Sequence, residues 1–212
     1  MPDVTVPSAL PLLGQNRVIP VLMFDSAKQG LATVRALARG GVTVAEVTLR
    51  TTAGLDAIRV IADECPDVLV GAGTVVSPAD LEKALKAGSK FIVTPGTTPV
   101  LRSAIAESPV PVLPGAVTIS EMLTLAELGF SELKFFPAGA AGGLEYLKSV
   151  AGPCPQLKFC PTGGVGPKNM RDYLALPNIF AVGGSWLTPK AAMDAENWDE
   201  LTRLAAEAVA LA

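Results

Sequence analysis

The chain alternates short apolar runs with helix-periodic runs eight times over, and that rhythm limits its fold more than any single motif. The apolar runs are Val18–Met23, Val44–Leu49, Val68–Ala72, Phe91–Thr94, Val112–Leu113, Glu132–Phe136, Leu157–Cys160 and Ile179–Val182. Between them lie stretches such as AKQGLATVRALARGG, GLDAIRVIADE, PADLEKALKAG and TISEMLTLAELG, and ENWDELTRLAAEAVALA closes the chain. Strands that each feed a helix through a short link predict a parallel sheet, because parallel neighbours need a crossover. Eight units of roughly 24 residues leave space for few insertions and fit a small (β/α)8 barrel. The competing architecture is an open doubly wound sheet. It places a glycine-rich nucleotide loop after its first strand, and PVLMFDSAKQG holds none. The expected fold is therefore of the α/β class. It is a single (β/α)8 TIM barrel over 1–212, with 1–16 as a short N-terminal helical segment packing on it.

Composition narrows the chemistry. Half of the 212 residues are hydrophobic and 17% are charged, so a sizeable core is expected. A net charge of −3 gives no electrostatic footprint for nucleic acid or an anionic membrane, so neither is an expected partner. Any phosphate must be held by a local site. The chain has no histidine, which removes the usual acid–base residue, the usual metal ligand and every Ser-His triad. No cluster has metal-ligand spacing, so no metal and no cofactor are expected. Cys65, Cys154 and Cys160 are odd in number and lack a C-x-x-C pair, which reads as free thiols in a reducing compartment. MPDVTVPSALPLLGQNR has no basic region before an apolar run, and no window reaches the ~18 apolar residues of a membrane span. The cytoplasm is the expected location.

The ends of the strands carry the chemistry. Gly71-Ala72-Gly73-Thr74, Thr94-Pro95-Gly96, Phe136-Pro137, Pro161-Thr162-Gly163-Gly164 and Gly183-Gly184-Ser185 are loop sequences on the face where barrels place their sites. Lys134 lies in Glu132-Leu133-Lys134-Phe135-Phe136-Pro137, and strand alternation puts it with Glu132 on the face opposite Leu133 and Phe135. Leu133 and Phe135 suit the helix side, which turns Lys134 into the barrel. Burial there favours the free amine, the form that attacks carbonyls. The structural alternative is a rim lysine that reaches water or pairs with a glutamate. Glu46 and Arg50 share parity with Val44 and Thr48 and are expected to line one wall, with Arg50 at the mouth. Glu46 is placed to shuttle protons and Arg50 to fork onto a carboxylate or phosphate. The alternative is a buried ion-pair network. The two Gly-Gly pairs fall in the loops after the last two strands, the usual phosphate cradle of a barrel, where Ser185 adds a hydroxyl. Arg17, just before the first strand, falls at the opposite end.

Two stretches carry a family resemblance. Gly41-Val42-Thr43-Val44-Ala45-Glu46-Val47-Thr48-Leu49-Arg50 resembles the active-site segment of the 2-keto-3-deoxy-6-phosphogluconate (KDPG) and 4-hydroxy-2-oxoglutarate (KHG) aldolases. Gly129-Phe130-Ser131-Glu132-Leu133-Lys134-Phe135-Phe136-Pro137-Ala138 is similar to that family's Schiff-base segment. The resemblance runs from about Arg17 to the C-terminus. It implies a homotrimer of barrels and a metal-independent class I aldolase that cleaves KDPG to pyruvate and D-glyceraldehyde 3-phosphate, with KHG as a further substrate. It also implies roles: Lys134 forms the imine, Glu46 moves protons, Arg50 and Thr74 hold the pyruvyl carboxylate, and Pro95 and Phe136 line the substrate site. Thr162 lies near the reacting carbons, and Gly163, Gly164 and Ser185 take the phosphate. The alternatives are a 2-keto-3-deoxy-6-phosphogalactonate aldolase and, on the same scaffold, a phosphosugar isomerase or epimerase. A scaffold without turnover is a third.

Overall fold

The computed structural model describes residues 6–212. Nine strands and ten helices alternate among them. The strands are β1 (Val18–Leu22), β2 (Val44–Thr48), β3 (Leu69–Gly73), β4 (Ile92–Val93), β5 (Val112–Leu113), β6 (Gly115–Ala116), β7 (Glu132–Phe135), β8 (Lys158–Pro161) and β9 (Val182–Gly184). The helices are α1 (Leu10–Leu13), α2 (Ala27–Arg39), α3 (Gly54–Glu64), α4 (Pro78–Lys86), α5 (Pro99–Ala106), α6 (Ile119–Glu127), α7 (Gly143–Val150), α8 (Met170–Leu174), α9 (Lys190–Asp194) and α10 (Trp198–Leu211).

Every strand pair is parallel, as the alternation predicts. Six strands hydrogen-bond in the order β5-β4-β3-β2-β1-β9 and three in the order β6-β7-β8. The result is an α/β fold with a curled parallel sheet, its strands buried on both faces. Isolated bridges Phe159↔Ile179 and Thr162↔Gly183 join the β8 side to the β9 side. The Lys134 N–H donates to the Pro114 carbonyl at 2.9 Å, so β7 is tied to the link between β5 and β6. That link is a departure from the expected single short strand at Val112–Leu113. Pro114 lacks an N–H and interrupts the ladder. The Gly115 N–H then donates to Thr94 Oγ1 at 3.1 Å, and the strand resumes as β6. The eighth expected strand also shifts: Ile179 makes only a bridge, and the regular ladder runs over Val182–Gly184.

The helices begin where the sequence supplies caps. Ser26, Ser77, Thr98 and Thr118 each accept a hydrogen bond from a backbone N–H three residues on. Thr118 and Glu121 form a reciprocal capping box at the start of α6. Each cap lies on the connection after a strand's C-terminal end, and so fixes the loops that surround the site. Of the expected N-terminal helical segment 1–16, Leu10–Leu13 is the helical part among the described residues, and 1–5 lie outside them. It packs through Ala9 and Leu13, both buried. Glu132 anchors it, with Oε2 accepting from Ser8 Oγ at 3.1 Å and from the Ala9 N–H at 3.0 Å. Glu132 thus shares the face of Lys134 but is occupied at the floor of the sheet. Arg17 sits at that same end, where its Nη2 donates to the Leu174 carbonyl.

Candidate active site

β7 delivers Lys134 to the interior. Phe135 points the other way and stacks on Tyr146 of α7, with ring centroids 5.4 Å apart, as alternation predicts. The Lys134 side chain is 5% exposed and that of Glu46 is 3% exposed. Lys134 Nζ donates to Glu46 Oε1 at 3.0 Å, joining β7 to β2 across 88 positions of sequence. The two are therefore a buried pair and also neighbours positioned for proton transfer. Glu46 has room because β3 carries glycine beside it. A Cβ on Gly73 would run into the Glu46 carboxylate. Lys134 Nζ also lies 5.3 Å from the centroid of the Phe136 ring, a cation–π contact.

Above this pair, at the C-terminal ends of the strands, is a cavity of about 310 Å³. Thr48, Arg50, Phe136, Thr162, Gly163, Gly164 and Ser185 all contribute to its wall. Lys134, Glu46, Thr74 and Pro95 do not line it: Lys134 and Glu46 lie two residues deeper along the chain than Phe136 and Thr48 of the wall, and Thr74 meets the wall through Arg50. Arg50 reaches the mouth by a different route from the one parity implied. β2 ends at Thr48, and Arg50 is an exposed turn residue whose Nε donates to Thr74 Oγ1 at 3.2 Å. Thr74 has φ 59°, a left-handed conformation that a β-branched residue adopts at a cost of order 1–3 kcal/mol. No sequence rule signals that strain, and it holds the Thr74 hydroxyl against Arg50. Pro95 packs its backbone against Gly115, where a Cβ would collide with it.

The far side is built from backbone. Gly163 and Gly164 have φ of 90° and 80°. Their carbonyls accept from the Gly139 N–H at 2.8 Å and from Asn169 Nδ2 at 2.9 Å, which ties the loop down. Thr162 is 5% exposed, and Gly183 lies so close that a Cβ there would meet the Thr162 hydroxyl. Ser185 is exposed at the rim.

All three cysteines are free and buried. Cys160 pairs in register with Lys134. Burial pushes its thiol up from 9.0 to about 12, with Lys134 opposing the shift and Glu46 adding to it. At pH 8, iodoacetamide is expected to leave Cys160 unlabelled in the native protein and to label it in urea, as read by peptide mass mapping. The sign for stability follows. The unfolded thiol ionises above 9.0 while the folded one keeps its proton to about 12, so stability falls as pH rises through that window.

Comparison with known proteins agrees with this geometry. The family model described as KDPG and KHG aldolase matches residues 11–204. The KHG/KDPG aldolase of Escherichia coli K12 is 46% identical over 202 residues, covering 95% of each chain. The KDPG aldolase of Legionella pneumophila, solved with pyruvate captured as a covalent carbinolamine, superposes with a TM-score of 0.88 at 42% identity. That match covers 90% of this chain and 92% of the other. The enzyme of Zymomonas mobilis ZM4 with 3-phosphoglycerate gives a TM-score of 0.87 at 40% identity, covering 92% of each. Three relatives spanning nearly the whole chain, with the buried lysine–glutamate pair in place, leave one assignment: the chain belongs to the KDPG and KHG aldolase family.

Proposed function

We propose that this chain is a class I aldolase that cleaves KDPG to pyruvate and D-glyceraldehyde 3-phosphate through an imine on Lys134, and that it also cleaves KHG. The observation that carries the reading is the buried Lys134–Glu46 contact of 3.0 Å beneath the cavity. In the resting site a proton passes from Lys134 to Glu46 as substrate enters and displaces water. The neutral amine attacks the C2 ketone, and Glu46 protonates the departing hydroxyl of the carbinolamine. The protonated imine then draws the electrons of the C3–C4 bond as it breaks. The C4 hydroxyl loses its proton towards Glu46, the aldehyde leaves, and the enamine is protonated at C3. Hydrolysis returns the amine and releases pyruvate.

The remaining residues divide the substrate between them. Arg50, held by the strained Thr74, forks onto the C1 carboxylate. Pro95 and Phe136 pack beside the pyruvyl group, and Thr162 lies at the reacting carbons. Gly163 and Gly164 bring backbone close enough for the phosphate, with Ser185 as hydroxyl donor. Borohydride reduction in the presence of pyruvate, followed by peptide mapping, is expected to give a pyruvyl adduct on the Lys134 peptide. Absence of that adduct, as an isomerase or an inactive scaffold predicts, ends this reading.

The architecture we infer is one domain over 1–212 whose two sheets close into a single (β/α)8 barrel. β5 and β6 are then the two halves of its fifth strand, and the bridges at Phe159 and Thr162 are the seam to β9. We also infer a cytoplasmic homotrimer. Among the described residues eight large hydrophobics are exposed, and four of them, Val76, Val100, Ile119 and Leu123, stand on the loops and first two helical turns after β3, β4 and β6. β3 and β4 are neighbours in one sheet and β6 edges the other, so in the closed barrel inferred above these positions share one lip, on which Val100 is 69% exposed. A second copy of the same chain is the occupant that suits it. Val100→Asp is expected to convert a trimer into monomer in size-exclusion chromatography with light scattering. A trimer that survives the change places the interface elsewhere.

A further inference from the structure

We infer that Thr48 is a positioning residue that holds the water carrying protons between Glu46 and the substrate; this rests on the Schiff-base reading above. Alternation along β2 puts Thr48 on the same inward face as Glu46, two residues and therefore about 7 Å nearer the C-terminal end. Of the five residues of β2, Thr48 alone contributes to the cavity wall. Glu46 is only 2% exposed and lies behind that wall. One water between two polar groups spans about 5–6 Å in two successive hydrogen bonds, enough to link a carboxylate behind the wall to a group in the cavity.

The hydroxyl of Thr48 is specified in direction. It is 1% exposed, and Oγ1 donates its hydrogen to the Leu22 carbonyl on neighbouring β1 at 2.9 Å. With that hydrogen committed, Thr48 offers only acceptor lone pairs. A water there gives one hydrogen to Thr48 Oγ1 and the other to Glu46, whose Oε1 is already engaged by Lys134, leaving Oε2 for the water. The water's own lone pairs are then free for the C4 hydroxyl. In the cleavage step the C4 hydroxyl proton passes to the water oxygen, and the water's proton passes to Glu46. Thr48 keeps its own proton throughout, so the transfer balances. In the final step the same path runs backwards and protonates C3 of the enamine. The other threonines near the site are less well arranged. Thr94 is fully buried with its oxygen accepting from the Gly115 N–H, and Thr162 reaches the Cys160 carbonyl only at 3.4 Å.

The test separates imine formation from proton transfer. Thr48→Val keeps the β-branched shape and removes the acceptor. It is expected to form the borohydride-trapped pyruvyl adduct within about threefold of the unmodified chain. Hydrogen–deuterium exchange of the pyruvate methyl group and kcat for KDPG cleavage should each fall about 10- to 100-fold, with KM within about threefold. Thr48→Ser, which restores the acceptor, should return exchange to within about threefold. Exchange unimpaired in Thr48→Val overturns the role, and so does a Thr48→Ser variant as slow as the valine. Should valine prevent folding, judged by circular dichroism, Thr48→Cys replaces it, because sulfur is a weak acceptor, and is read against serine in the same way. An unmodified chain that gives no adduct removes the lysine reading itself and this role with it.

Discussion

A Lys134→Ala variant is expected to lose KDPG cleavage by about five orders of magnitude or more, since removal of a covalent nucleophile abolishes the step on which the others depend. The same change carries a stability cost that is independent of catalysis. Lys134 and Glu46 are a pair whose side chains are 5% and 3% exposed. Deleting the cation leaves the carboxylate without a partner in a low-dielectric interior, a cost of about 3–5 kcal/mol. The variant should therefore show a lower urea midpoint with an unchanged slope. Adding Glu46→Gln to it should recover most of that loss and none of the activity. Residual cleavage within tenfold of the unmodified chain would place the nucleophile elsewhere.

The second large effect is expected from Glu46→Gln alone. The amide fills the same volume beside Gly73 and still offers an oxygen to Lys134, so the fold should persist with a modest loss of stability. Catalysis should not persist. Removing the group that exchanges protons is expected to lower kcat about 10²- to 10⁴-fold. Borohydride trapping should slow as well, because the carbinolamine loses the acid that expels its hydroxyl. This differs from the Thr48→Val result, in which trapping is kept and only the later proton transfers slow. Measuring trapping and methyl exchange on both variants therefore assigns the two residues to different steps. Glu46→Gln with unaltered exchange would mean that another base serves the enamine.

Parity along a strand made much of the site readable. The Lys134 and Phe135 orientations follow from a period of two, as does the placing of Glu46 and Thr48 on one wall. Ser26, Ser77, Thr98 and Thr118 cap α2, α4, α5 and α6 in the structure. Parity stopped helping where strands stop. Arg50 lies past the end of β2, so its position came from a turn and from Thr74, whose left-handed backbone no threonine advertises. Strand ends also moved by one to three residues, most of all at Ile179, which makes only a bridge before the ladder over Val182–Gly184, and beyond Pro114 an unexpected β6 resumes the pairing.

The inward face, the lysine that lies on it and the loop glycines were thus determined by the sequence itself, since each depends on a residue and its immediate neighbours. What the tertiary structure decided were the partners. Lys134 meets Glu46 across 88 positions, and Glu132, on the same face as Lys134, is instead taken by Ser8 and the Ala9 N–H across more than a hundred. Local pattern fixes which way a side chain points. Only strand register and the closing of the sheet fix what stands opposite it, because a hydrogen bond of 3.0 Å depends on relative strand positions that no single segment encodes.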